Sequence, residues 1–217
     1  MWVGPTTEFE IKEEGLHHLL ELRDRKQGAI LLGAHLGSFA VLRAMSQEKD
    51  LPVNVVMYRG NAPRFNKVLK EIAPISESRI IEYDPSEATS ILAVRQCIER
   101  GEFVSFLADR TPPVDTGKHG GIMTPFLGKE AAFPQGPWVI ASLLGCPVLW
   151  TCGLRTGKGR YRVMAGPLAD HVLLPRGGRE ESLKKYVSGY TTVLEELCLE
   201  RPFQWFNMYD FWYEETN

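Results

Sequence analysis

The segment Gly33-Ala34-His35-Leu36-Gly37-Ser38-Phe39 carries the side chain best placed for chemistry in this 217-residue sequence. His35 directly follows a short apolar run and precedes a helical pattern. An imidazole so placed can take up and return a proton near neutral pH. Gly33 and Gly37 leave the backbone free to turn sharply and to approach a ligand. A capping or core histidine is the competing reading. Two other apolar runs also end on polar residues. Phe106-Leu107-Ala108-Asp109-Arg110 delivers a carboxylate and a guanidinium, and Val56-Met57-Tyr58-Arg59 delivers Arg59, with Arg64 and Asn66 just beyond. Asp109 and Arg110 can equally be a structural ion pair. Three run ends that each present a polar residue point to a shared pocket. His17 and His18 lie on an amphipathic helical pattern and are expected at the surface. His119 and His171 match no catalytic pattern.

The elements that must position these residues alternate between strand and helix signals. Strands are predicted at 9–11, 29–34, 53–58, 79–83, 103–108, 147–152 and 160–164. Helices are predicted at 13–26, 38–47, 63–72, 86–100 (Ser86 as N-cap), 134–144 and 180–200. The central runs are wholly apolar, as in strands buried on both faces. The fold class is therefore α/β, with a mainly parallel central sheet flanked by helices, in a single domain over 1–217. Sites in such sheets lie beyond the carboxyl ends of the strands. Residues 110–133 read as a long loop rich in Gly, Pro and Thr, fit to line a groove for an apolar chain.

Composition narrows the partners. The formal charge is −2, which argues against a general nucleic-acid binder. No apolar run reaches the length of a membrane helix, and the N-terminus lacks the pattern of a signal peptide. These features point to the cytoplasm. Cys97, Cys146, Cys152 and Cys198 have no metal-ligand spacing and read as buried or half-buried thiols. No metal or organic cofactor is implied. A serine esterase is disfavoured, because Ser38 stands in Gly-Ser-Phe-Ala and no Gly-x-Ser-x-Gly elbow occurs.

Several segments, in order along the chain, resemble the bacterial lipid A biosynthesis (late) acyltransferases, within the wider lysophospholipid acyltransferase group. They are residues 28–39 around His35, Leu107-Ala108-Asp109-Arg110, Thr124-Pro125-Phe126-Leu127-Gly128-Lys129, Gly136-Pro137, Gly145-Cys146-Pro147-Val148 and Arg201-Pro202-Phe203-Gln204-Trp205-Phe206. The aromatic ending, 204–212, looks like a subgroup found beside fatty-acid or polyketide synthase genes, such as those making aryl polyene pigments. The resemblance implies an α/β fold and transfer of an acyl chain from an acyl carrier protein or coenzyme A to a hydroxyl of a lipid-like acceptor. It implies a location peripheral to the cytoplasmic side of the inner membrane, with the aromatic tail or the long loop near the groove mouth. Typical members are longer and begin with a membrane-anchoring helix. This chain is then a short peripheral member or one from which the anchor is missing.

In the family motif, histidine is followed after four residues by Glu or Asp, and that acid orients the imidazole. His35 matches the histidine, and the acid's position is Ala40. Alanine can neither hydrogen-bond nor carry charge, so this form is expected to be inactive or impaired unless another acid serves. Three readings stand: Ala40 is an engineered substitution of the catalytic acid that inactivates the protein and traps a bound substrate or lipid; the protein is a natural member in which Asp109 supplies the acid instead; or it is a natural non-catalytic module that binds acyl chains. The resemblance also places Asp109 and Arg110 in the substrate-binding site and puts Ser38 where a hydrogen bond to substrate is expected; Arg59 and Arg64, at and beyond the end of another apolar run, are further substrate-binding candidates. The arginines would hold the phosphate of a phosphopantetheine arm or a lipid headgroup.

Overall fold

The computed structural model describes residues 9–58, 80–84, 87–111, 121–207 and 211–212. Nine strands are described: β1 (Glu10–Glu14), β2 (Ala29–Gly33), β3 (Val53–Tyr58), β4 (Ile80–Tyr83), β5 (Phe103–Leu107), β6 (Gly121–Phe126), β7 (Lys129–Pro134), β8 (Val148–Gly157) and β9 (Arg160–Ala169). The described helices are α1 (His17–Asp24), α2 (Phe39–Glu48), α3 (Ala88–Glu99), α4 (Gly136–Leu144) and α5 (Arg179–Glu200). Seven strands form one sheet in the order β1-β9-β8-β2-β5-β3-β4. Every neighbouring pair in it is parallel except β8 with β9.

The sheet separates two cores. Strand side chains alternate between faces, so Ile30 and Leu32 of β2 point one way and Ala29 and Leu31 the other. The first face packs with Val104 and Phe106 against Val94 of α3, Trp138 and Ile140 of α4, and Leu183 and Val187 of α5. The second packs with Phe103 against Leu16 and Leu19, beside and within α1, and against Val41 and Met45 of α2. All of β2 is buried, which explains its unbroken apolar sequence. Helices on both faces of a mostly parallel sheet agree with the α/β reading.

Several boundaries differ from the sequence reading. The strand expected at 9–11 runs on to Glu14, into residues expected to begin a helix, because Glu10–Glu14 pair in register with Arg160–Met164 of β9. The strands expected at 147–152 and 160–164 run on into a ten-residue antiparallel hairpin on each side. Its tip is Lys158-Gly159, with Gly159 at φ +68°. The long loop expected over 110–133 instead contains the β6–β7 hairpin, turned at Leu127 and Gly128. Its alternation is visible in burial: Thr124, Phe126, Ala131 and Phe133 face inward, and Met123, Pro125 and Ala132 outward. Pro125 and Pro134 hid it, since proline argues against a central strand but is tolerated in a two-stranded ribbon. The helix expected over 63–72 and the Ser86 cap lie outside the described residues, and α3 begins from Glu87. All four cysteines are buried free thiols.

Candidate active site

β2 and β5 are adjacent and parallel, with Gly33 opposite Leu107. Two residues further along each chain stand His35 and Asp109. Equal offsets past a parallel register bring side chains together on one face, and here they meet. His35 Nδ1 lies 2.8 Å from Asp109 Oδ1, and the His35 backbone N–H donates to Oδ2 at 3.1 Å. The Asp109 side chain is 2% exposed and that of His35 28%. The acid is thus sealed in, while the imidazole reaches the surface of a large, mostly apolar cleft. His35 lines this cleft together with Phe39, Leu42, Met57, Tyr83, Phe106, Arg110 and Gln135.

Burial pushes the Asp109 carboxyl up, but the His35 side chain, the His35 backbone N–H and the Trp205 indole outweigh it and hold the group below its ordinary range. Asp109 is therefore an ionised acceptor. Nδ1 of His35 must then be the donor, and Nε2 is left with its lone pair toward the cleft. No hydrogen bond joins Nε2 to the described residues. Such an imidazole can accept a proton at Nε2 while the carboxylate stabilises the charge that results.

The chain beyond His35 is fixed from both sides. Gly37 sits at φ +77°, and a Cβ there would come within 2.2 Å of the Gly153 carbonyl oxygen, so only glycine fits this turn. Ser38 N–H donates to Gly153 O at 2.7 Å, on the β8 side. On the other side, Phe206 N–H donates to His35 O at 2.7 Å and Gly37 N–H to Gln204 O at 2.9 Å. Leu36 and Trp205 thereby form an antiparallel bridge. Beneath, the Tyr190 hydroxyl donates to Gly33 O at 2.8 Å. Tyr190 is wholly buried, and burial pushes its phenol well above the ordinary value, so it stays a donor.

The remaining sequence-predicted residues fall as follows. Ser38 is the N-cap of α2, its Oγ accepting from Val41 N–H at 3.4 Å, which leaves its own O–H to donate. Ala40 lies in the first turn of α2 and is partly buried. Arg110 follows Asp109 and lines the cleft. Arg59, Arg64 and His119 lie outside the described residues. Sequence reasoning gave no site role to Trp205, whose indole Nε1–H donates to Asp109 Oδ2 at 3.2 Å, nor to Tyr190. Trp205 lies in the segment Arg201-Pro202-Phe203-Gln204-Trp205-Phe206; its contact with Asp109 is long-range and carries no local signal.

A histidine–carboxylate pair at the carboxyl edge of the central strands of an α/β sheet is an arrangement capable of acid–base chemistry. The particular family follows from the sequence match. The family model for the bacterial lipid A biosynthesis acyltransferases matches residues 5–212, and the chain belongs to that family. No curated protein matches the sequence. Membership carries acyl transfer, with an acyl donor and a lipid acceptor. Among the described residues, no helix is long and apolar enough to cross a membrane.

Proposed function

We propose that this chain is an active acyltransferase domain in which His35 is the general base and Asp109, not residue 40, is its orienting acid. The observation that carries this is the 2.8 Å contact between His35 Nδ1 and the buried, ionised Asp109. Of the three readings left open by Ala40, this geometry supports the second. The donor is a fatty or polyketide acyl thioester, on an acyl carrier protein or coenzyme A. The acceptor is a lipid-like alcohol.

The steps follow from His35 Nε2, which has no hydrogen-bond partner among the described residues. It takes the proton of the acceptor hydroxyl as the oxygen attacks the thioester carbonyl. The C–O bond forms, and the carbonyl electron pair moves onto oxygen. As the carbonyl re-forms, the C–S bond breaks, and the imidazolium returns its proton to the departing thiolate. Asp109 stays ionised throughout and stabilises the imidazolium. Arg110, which lines the cleft, contacts the donor or acceptor. The apolar lining provided by Phe39, Leu42, Met57, Tyr83 and Phe106 suits an acyl chain.

The setting of this cleft also supports a peripheral membrane contact at the cytoplasmic face of the inner membrane. Phe39 is exposed beside His35, and Phe203 and Phe206 are exposed on the segment bonded to the His35 loop. Gln204 clasps Arg155 through two side-chain hydrogen bonds. This sets the exposed phenylalanines beside the exposed Arg155, Lys158 and Arg160 of the β8–β9 hairpin. Aromatic groups flanked by cations suit an anionic bilayer surface.

The test is release of thiol from palmitoyl-coenzyme A and palmitoyl-carrier protein, with and without a panel of lipid alcohols. We expect acceptor-dependent turnover and ester product, abolished by His35→Ala. Chain binding with no turnover in any combination would instead establish the binding-module reading.

A further inference from the structure

Trp205 reaches Asp109 from the opposite end of the chain. Its ring is held edge-on by Phe126, Phe211 and Trp212, at centroid distances of 5.4, 5.1 and 6.4 Å and interplanar angles of 80°, 78° and 76°. Its backbone is held by the bridge to Leu36 and the bonds on either side of it. In this extended segment successive side chains alternate. Phe206 faces solvent at 48% exposure, while Trp205 turns inward to the carboxylate.

The two oxygens of Asp109 have separate partners. Among the described residues, Oδ1 meets the His35 side chain, while Oδ2 accepts from the His35 backbone N–H and from the Trp205 indole. An indole N–H is a donor and never an acceptor. It therefore anchors Oδ2 without competing for a proton, and it leaves Oδ1 turned to the imidazole. A carboxylate bonded to the loop N–H on one side only could rotate away from Nδ1.

We propose that Trp205 is a positioning residue for the base: its indole N–H fixes the Asp109 carboxylate, so that the dyad is a Trp–Asp–His relay completed by the C-terminal aromatic segment. This rests on the reading of His35 and Asp109 as base and acid. It assigns to the segment around residue 205 a role in setting the proton affinity of His35, beyond packing.

Trp205→Phe keeps the ring and removes the donor. A hydrogen bond to a charged group is worth a rate factor of about 10–100, and that loss in kcat is expected with KM nearly unchanged. Without the donor, Asp109 presents more negative charge to the imidazole, so His35 holds its proton to higher pH. The acidic limb of the pH–rate profile moves upward, and NMR titration of the His35 ring protons in the substrate-free protein moves with it. Phe211→Leu loosens the aromatic box without removing the donor, and it lowers Tm while leaving the His35 titration in place. A Trp205→Phe protein that folds and titrates like the wild type at His35 would overturn the proposal, whatever its rate. If Trp205→Phe does not fold, the wild-type Trp205 indole N–H resonance decides: it must shift in step with His35, and indifference to that titration refutes the relay. Coupled titration in a protein that transfers no acyl group would leave the relay standing and remove the acyltransferase reading instead.

Discussion

Asp109→Asn is the substitution that most directly probes the dyad. The replacement amide fits the same space as the carboxylate, so the variant folds. Its oxygen can still accept from the His35 backbone N–H and from Trp205, the two donors that now share Oδ2. That orientation turns the amide NH2 toward His35 Nδ1. Two donors cannot face each other, so the imidazole shifts its hydrogen to Nε2 and presents Nδ1 as acceptor. Nε2 then has no lone pair for the acceptor hydroxyl, and no buried anion remains to stabilise an imidazolium. Loss of the acid in a comparable triad lowers kcat by about 10⁴-fold, which equals about 5.4 kcal/mol of transition-state stabilisation. We expect a loss within a decade of that figure here. The assay is acceptor-dependent thiol release from palmitoyl-coenzyme A, with near-ultraviolet circular dichroism to establish folding and NMR to establish the tautomer. A folded Asp109→Asn protein within about tenfold of wild-type kcat would refute the assignment of Asp109 as the orienting acid.

Two further outcomes follow from the same contact. Ala40→Glu adds the acid that the family motif expects, but Nδ1 of His35 has one hydrogen and Asp109 already takes it; the change in kcat is expected to stay below about tenfold, and a rise beyond that, in the same thiol-release assay, would show that residue 40 is the missing acid. Asp109 also makes stability depend on pH: its carboxyl is held below the ordinary value of 3.8, so its contribution is complete above that value and is lost as pH falls through the lower folded-state one. Urea unfolding of wild type and Asp109→Asn from about pH 6 down to about pH 2 should therefore show a stability gap that narrows as the pH drops, and a gap that widens would contradict the depressed value.

The reach of sequence reasoning differed between the core and its edges. β2 and β5 were legible because burial on both faces demands unbroken apolar runs. The same logic failed for β6 and β7. Their hairpin hides only alternate residues, and two prolines broke the apparent pattern. It failed again at 12–14, where the strand read at 9–11 runs on through charged residues because of its pairing with β9 and not its own composition. The ends of β8 and β9 are likewise set by one another, since Arg155 and Thr156 carry no apolar signal of their own.

The site divides along the same line. Placing His35 and Asp109 at one edge of the sheet needed only the ends of two apolar runs. Deciding that they touch needed the strand order, because β5 is inserted between β2 and β3 and no local pattern records that insertion. Once the two strands are neighbours, register does the rest: Gly33 opposite Leu107 puts His35 opposite Asp109. This is why the absence of an acid at residue 40 does not by itself silence the histidine. Position 40 is tied to His35 through the turn into α2, whereas position 109 is tied to it through the sheet. The sheet is the more rigid link, for Asp109 stands two residues past a buried central strand, and Ala108 between them is still bonded to Gly33 of β2. The residue that an alternation of strands and helices could least foresee is Trp205. It lies 96 positions from Asp109 and meets it only because the chain, after α5, returns to pair with the loop that carries His35.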